Sequence, residues 1–142
     1  MDIRRSMRRF HGLLALLALT SCRAAENKSL TELRSDLRST LSLASETKLF
    51  IRQIEADRVP VQFRAAHASY LREEALRRLK AVRKSEQDAG DPNKFYLCAG
   101  QLEALSGELG VIGMRSDHNA LAEAERNIDV IRKTLVDAGA EQ

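Results

Sequence analysis

The sequence predicts an all-α fold, an antiparallel up-down bundle of four helices. Three observations carry that expectation. Apolar residues recur at steps of three and four in four separate stretches, no stretch alternates as a half-buried strand would, and short turn-forming connections divide the stretches. A three-helix core with a looser fourth helix is the alternative packing. At 142 residues the chain is long enough for one domain, assigned to 29–139.

The first helix opens on Ser29-Leu30-Thr31-Glu32, a capping box with serine at the N-cap and glutamate three residues on. Leu30, Leu33, Leu37, Leu41, Ala44, Ile51 and Ile54 then form a stripe, so a helix is expected from about 30 to 57. Pro60 ends it, because a proline disfavours helical geometry at the residue before it, here Val59. The second helix runs from about Pro60 to Lys84, with Val61, Ala65, Ala68, Leu71, Ala75, Leu76, Leu79 and Val82 on its apolar face. A polar loop, 85–91, follows, with Asp91 as N-cap and Pro92 at the first helical position of the third helix. Phe95, Cys98, Leu102, Leu105 and Leu109 make its seam, which "GVIGM" interrupts. Ser116 or Asp117 caps a fourth helix striped by Leu121, Ala124, Ile128, Ile131 and Leu135, with Gly139 as its stop.

Upstream of the bundle the pattern changes. "MDIRRSMRRFHG" is basic, and "LLALLAL", Leu13 to Leu19, is apolar. Seven helical residues span only about 10 Å, against roughly 30 Å of bilayer hydrocarbon, so this run is too short to cross a membrane. A basic region, a short apolar run and then small residues are the order of an export signal; Met7 would serve as a start equally well. Leu19-Thr20-Ser21-Cys22 resembles the lipobox of bacterial lipoproteins. The resemblance covers residues 1–22 only. It implies a signal peptide over 1–21, cleavage between Ser21 and Cys22, and lipidation of Cys22, followed by a tether over 22–28. Two or more acyl chains hold a protein stably where one does so only reversibly. Position 23 is arginine, not the aspartate that resembles an inner-membrane retention signal, so the resemblance favours the outer membrane, facing the periplasm, in a two-membrane cell.

Removing the leader changes the charge balance. The chain carries a net +3, but Arg4, Arg5, Arg8 and Arg9 against Asp2 account for all of it. What remains is neutral and interleaves both signs, unlike the basic stripe that phosphate neutralisation requires, so nucleic acid is not an expected partner. The cysteines are Cys22 and Cys98; with Cys22 acylated, Cys98 has no disulfide partner and behaves as a small buried apolar residue.

Few residues suggest chemistry. Phe63, His67, Tyr70 and Glu74 share one edge of the second helix, a candidate ligand patch, or else a boundary histidine bonded to a nearby carboxylate. His118 begins the fourth helix; with His67 about seven residues inside its own helix, roughly 10 Å separates their heights, too far for one shared metal ion. Val59, Val111, Ile112 and Met114, with Pro60, Val61 and Phe63, gather at the end of the bundle away from the anchor, a candidate partner tip or the plug of that end. Arg72, Arg77, Arg78, Lys80, Arg83 and Lys84 make a cationic face offset by Glu73, Glu74 and Glu86. Glu-x-x-His pairs, C-x-x-C-H, H-E-x-x-H, G-x-S-x-G and a phosphate-binding glycine loop are all missing from the sequence. The expectation is a non-enzymatic interaction or structural module without cofactor or metal, attached to the membrane and partnered by another envelope protein. The alternative is a ligand- or metal-binding bundle using the His67, Phe63 and Tyr70 patch.

Overall fold

The computed structural model describes residues 30–86, 90–114 and 117–141. Ser29, Cys22 and the whole leader and tether lie outside the described residues. Four helices are present: α1 over 30–55, α2 Val61–Lys84, α3 Pro92–Met114 and α4 His118–Asp137.

Each end has a local cause. α1 stops at a left-handed residue, Asp57 at φ 54°, not at Pro60. Arg58 N–H reaches back to the Gln53 carbonyl at 2.9 Å and Asp57 N–H to that of Ile54 at 2.9 Å, closing a Schellman turn. Aspartate tolerates this conformation better than most residues, and Arg64 ties the turn down through Asp57 Oδ1 at 3.0 Å and the Val59 carbonyl at 3.0 Å. Pro60 stands at the N-cap of α2. Asp91 and Asp117 cap α3 and α4 as expected, accepting from Lys94 N–H at 3.1 Å and Ala120 N–H at 2.8 Å. α4 ends in a second Schellman turn, with Gly139 at φ 94° and Ala140 N–H bonded to the Leu135 carbonyl at 3.1 Å.

Interhelical contacts show the antiparallel arrangement directly. As the α1 position rises from Ser45 to Lys48 to Arg52, its α4 partner falls from Arg132 to Asp129 to Glu125, step for step. On the other side of α1, Ser39 meets Arg78 and Phe50 meets His67, again with opposite sense. α2 packs on α3 and α3 on α4, so the helices form a ring in chain order. Thr40 and Cys98, 3.6 Å apart, touch across its centre. The fourth helix is not loose: all five residues of its expected stripe are buried.

The core corrects several details. On α1 the buried positions are 33, 37, 40, 44, 47, 51 and 54, joined by Leu43 and Phe50. Thr40 and Thr47 occupy two places in this stripe, each hydroxyl donating back to the carbonyl four residues earlier. On α2 the buried line narrows to Ala68, Leu71, Ala75, Leu79 and Val82; Val61, Ala65 and Leu76 of the expected face are exposed. α3 runs unbroken through "GVIGM", because its glycines are where it meets a neighbour. A Cβ at Gly113 would stand 3.3 Å from that of Ala68 on α2. Ile112 is therefore core, 3% exposed, and is not part of an outward tip.

α1 and α4 are clamped by charge as well as by apolar burial. Lys48 Nζ lies 2.6 Å from both Asp129 carboxylate oxygens and 3.8 Å from Glu125, with its own side chain 16% exposed. Lys48, bonding it directly, and Arg132 hold the Asp129 carboxyl below its ordinary range.

Two outcomes follow from these ends and clamps. Gly139→Ala places a side chain at positive φ and will cost about 1 kcal/mol, read as a thermal midpoint lower by roughly 4 °C in far-UV circular dichroism. Asp129→Asn will cost about 0.5–1 kcal/mol at neutral pH, less in high salt. The native pKa of Asp129 is depressed, so its stabilisation is complete above the unfolded carboxylate value and is lost as pH falls through the lower native one. Denaturant titrations from pH 7 to pH 2 will therefore show wild type and variant converging at the acid end.

Candidate functional site

The half of the α1–α2 seam nearer the 56–60 turn holds an open cleft. Phe50, two turns from the buried Leu43, meets the edge of the His67 ring with centroids 4.6 Å apart at 67°. His67 in turn lies nearly parallel to Tyr70, centroids 6.1 Å apart at 24°. Val59, carried over by the turn after α1, together with Phe63, Ala66 and Gln53, completes a cavity of about 450 Å³. Phe63 and Tyr70 each keep 59% of their surface exposed although they line it, so the cleft is a groove rather than a closed pocket.

Phe63, His67 and Tyr70 are thus brought together, and Glu74 is not part of the same group. Its carboxylate pairs with Arg77 and, at 2.7 Å, with Arg78, while Arg78 also donates to the Ser39 carbonyl on α1. His67 has no hydrogen-bond partner among the described residues. Glu74 instead borders a second depression of about 230 Å³ with Tyr70, Glu73 and Arg77, which shares Tyr70 as a wall with the first. Phe50 and Gln53 are the residues that sequence reasoning missed. The three- and four-residue steps through Leu43, Thr47 and Phe50 were available as a signal, hidden by the polar threonine.

The remaining candidates scatter. Val111 lines a more enclosed groove of about 460 Å³ between α2 and α3, with Ala65, Ser69, Arg72, Gly107 and Gly110. Val59 borders the cleft; Ile112 is core; the Met114 side chain lies outside the described residues. Val59 and Val111 therefore border grooves on different sides of α2, while Val61 and Phe63 stay exposed. His118 is exposed at the first turn of α4. No group of three histidine, cysteine, aspartate or glutamate side chains suited to a metal ion occurs among the described residues. No described helix is long and apolar enough to cross a membrane.

Cys98 is fully buried. Burial pushes its thiol above the ordinary value, with the Thr40 hydroxyl opposing in part. Thiolate is the reactive form, so in a Cys22→Ser chain a disulfide reagent will modify Cys98 at least about 100-fold more slowly in the native state than in denaturant, at the rate of opening. Fast native labelling would contradict this burial. No protein-family model matches the chain, and comparison with curated proteins and with solved structures returns no match.

Proposed function

We propose that the chain is an exported bacterial lipoprotein, held in the envelope through acylated Cys22, whose four-helix bundle acts as a non-enzymatic interaction module. The observation that carries the address is Leu19-Thr20-Ser21-Cys22 behind a basic segment and a seven-residue apolar run. Acylation rather than a spanning helix would then supply membrane attachment.

What supports interaction is where the chain spends its few aromatic residues. Only 4% of the sequence is aromatic, yet Phe63 and Tyr70 are left exposed beside His67 and Phe50 in one groove. Exposed aromatics grouped in a depression are the usual anchors of a protein contact. Some 20 residues of α1 separate the first described residue from Phe50, about 30 Å of helix. A tether entering at residue 30 would leave the groove facing away from the bilayer, where a partner can reach it. A small-molecule ligand is the second reading, favoured by a cavity of about 450 Å³; the exposure of its walls argues for a larger partner, since small-molecule sites enclose most of the ligand.

Cys22→Ser tests the address. Metabolic labelling with a palmitate analogue will mark the wild-type protein and not the variant, which will accumulate as an uncleaved precursor of higher mass. Persistent labelling of the variant would overturn the assignment. In a host that sorts by the residue after the cysteine, Arg23→Asp will move the protein to the inner-membrane fraction.

A further inference from the structure

The α1–α2 cleft has a direction, and that direction describes its occupant. Its distal end is apolar, with Phe50, Val59 and Phe63 around the His67 ring. Leu49, 57% exposed, is one helical turn from Gln53 on the same edge. The other end is acidic. Phe50 stands level with His67 and Ser39 with Arg78, so the antiparallel register brings Glu46 level with Leu71, next to Tyr70. Glu73 follows on α2. Glu46 and Glu73 are both exposed, and neither has a hydrogen bond or ion pair among the described residues. Glu74, by contrast, is paired with both Arg77 and Arg78, so the three carboxylates and two arginines leave this end with a single net negative charge. At the apolar end Arg58, next in sequence to Val59, is an exposed cation without a side-chain partner among the described residues.

The cleft is framed by two helices whose backbone groups are already paired. It offers no free strand edge for an extended segment to join, and its floor is the straight edge of a helix, along which a second helix with its own peptide groups paired can lie. From Phe63 to Arg77 the floor is about 21 Å long, the length of some 14 helical residues.

We propose that this cleft docks an amphipathic helix of a partner protein. Its apolar anchors lie on Phe50, Val59, Phe63 and His67, and a lysine or arginine one to two turns further along sits over Tyr70 between Glu46 and Glu73. The aromatic end supplies most of the affinity. The two carboxylates set the orientation, because the reversed helix would bring its cation to Arg58 and leave both glutamates unmatched. A cation over the tyrosine face adds to the same preference. This rests on the interaction part of the proposed function and is independent of the anchor.

The test is a displayed library of 14-residue helical peptides, varied in anchor and flanking charge, selected against the full lipidated protein in nanodiscs. The expected enriched pattern has apolar residues at i, i+3 or i+4, and i+7, with lysine or arginine one to two turns away. The strongest peptide, carrying a tryptophan anchor, reports affinity directly, since the protein contains no tryptophan. Phe63→Ala and Tyr70→Ala should each weaken it at least about 10-fold. Glu46→Gln and Glu73→Gln should each weaken it about 2- to 5-fold and flatten its salt dependence. All four positions are exposed, and circular dichroism checks that the variants remain folded. Failure to enrich peptides beyond the Phe63→Ala control, enrichment of acidic or uncharged flanks, or equal binding to the glutamine variants would overturn the proposal. So would a dimer in sedimentation that Phe63→Asp dissociates, which would make a second copy the occupant. If Cys22 labelling succeeds while the selection fails, the docking site falls and the anchored protein stands.

Discussion

Burial of one stripe on α1 is the constraint on which the other contacts depend. Positions 33, 37, 40, 44, 47, 51 and 54 face the centre of the ring, all nearly inaccessible to solvent. A single amphipathic helix cannot hide such a stripe, and the three other helices exist as a fold because they complete its enclosure. Thr40 and Thr47 show how strict the geometry is. Two hydroxyls are taken into the core, and each is satisfied by the carbonyl one turn back on its own helix, which removes most of the cost of burying it.

Two different chemistries hold the neighbours of α1 and α3 in register. Between α1 and α4 the seam is polar, with Lys48 and Arg52 ion-paired to Asp129 and Glu125 and Arg132 donating to the Ser45 hydroxyl at matched heights. Between α2 and α3 it is steric: the absence of side chains at Gly110 and Gly113 brings α3 up to Arg72 and Ala68. Glycine in a helix interior costs about 1 kcal/mol relative to alanine, and here the return is close approach of two backbones. The same closeness pushes the outward residues of α2 to either side, into one groove toward α3 and another toward α1.

How far the molecule could be read beforehand differs by element. The stripe of α4 was legible residue by residue and that of α3 as far as Leu109, without Ala99 and Ile112, because large apolar side chains at helical spacing mark an inner face where glycine and alanine do not. α1 was legible as a helix, but its polar threonines masked the full stripe and with it Phe50, the residue that turns a histidine edge into a cleft. On α2 the reading was too generous. Val61, Ala65 and Leu76 satisfy helical spacing, yet only a narrow line of α2 can face the core once α3 lies so close. "GVIGM" looked like an interruption because glycine is a poor helix former; it is helical because packing outweighs that propensity.

By itself the sequence determined the number of helices, their order, the caps at Asp91 and Gly139, the choice of Ser116 or Asp117 for the cap of α4, and the neutral charge balance of residues 22–142. Those properties depend on local spacing and on hydrogen bonds within a few residues. Only the tertiary structure decided which residues of an apolar face are buried, which carboxylates find cations, and which aromatic side chains meet. Phe50 and His67 lie 17 positions apart on different helices, and their contact exists because α1 and α2 run antiparallel in one particular register. Glu74 was drawn away from His67 by two arginines on its own helix, while Glu46 and Glu73 were left open at the head of the cleft. Such outcomes belong to the competition among all the helices for the same space, and no single helix encodes them.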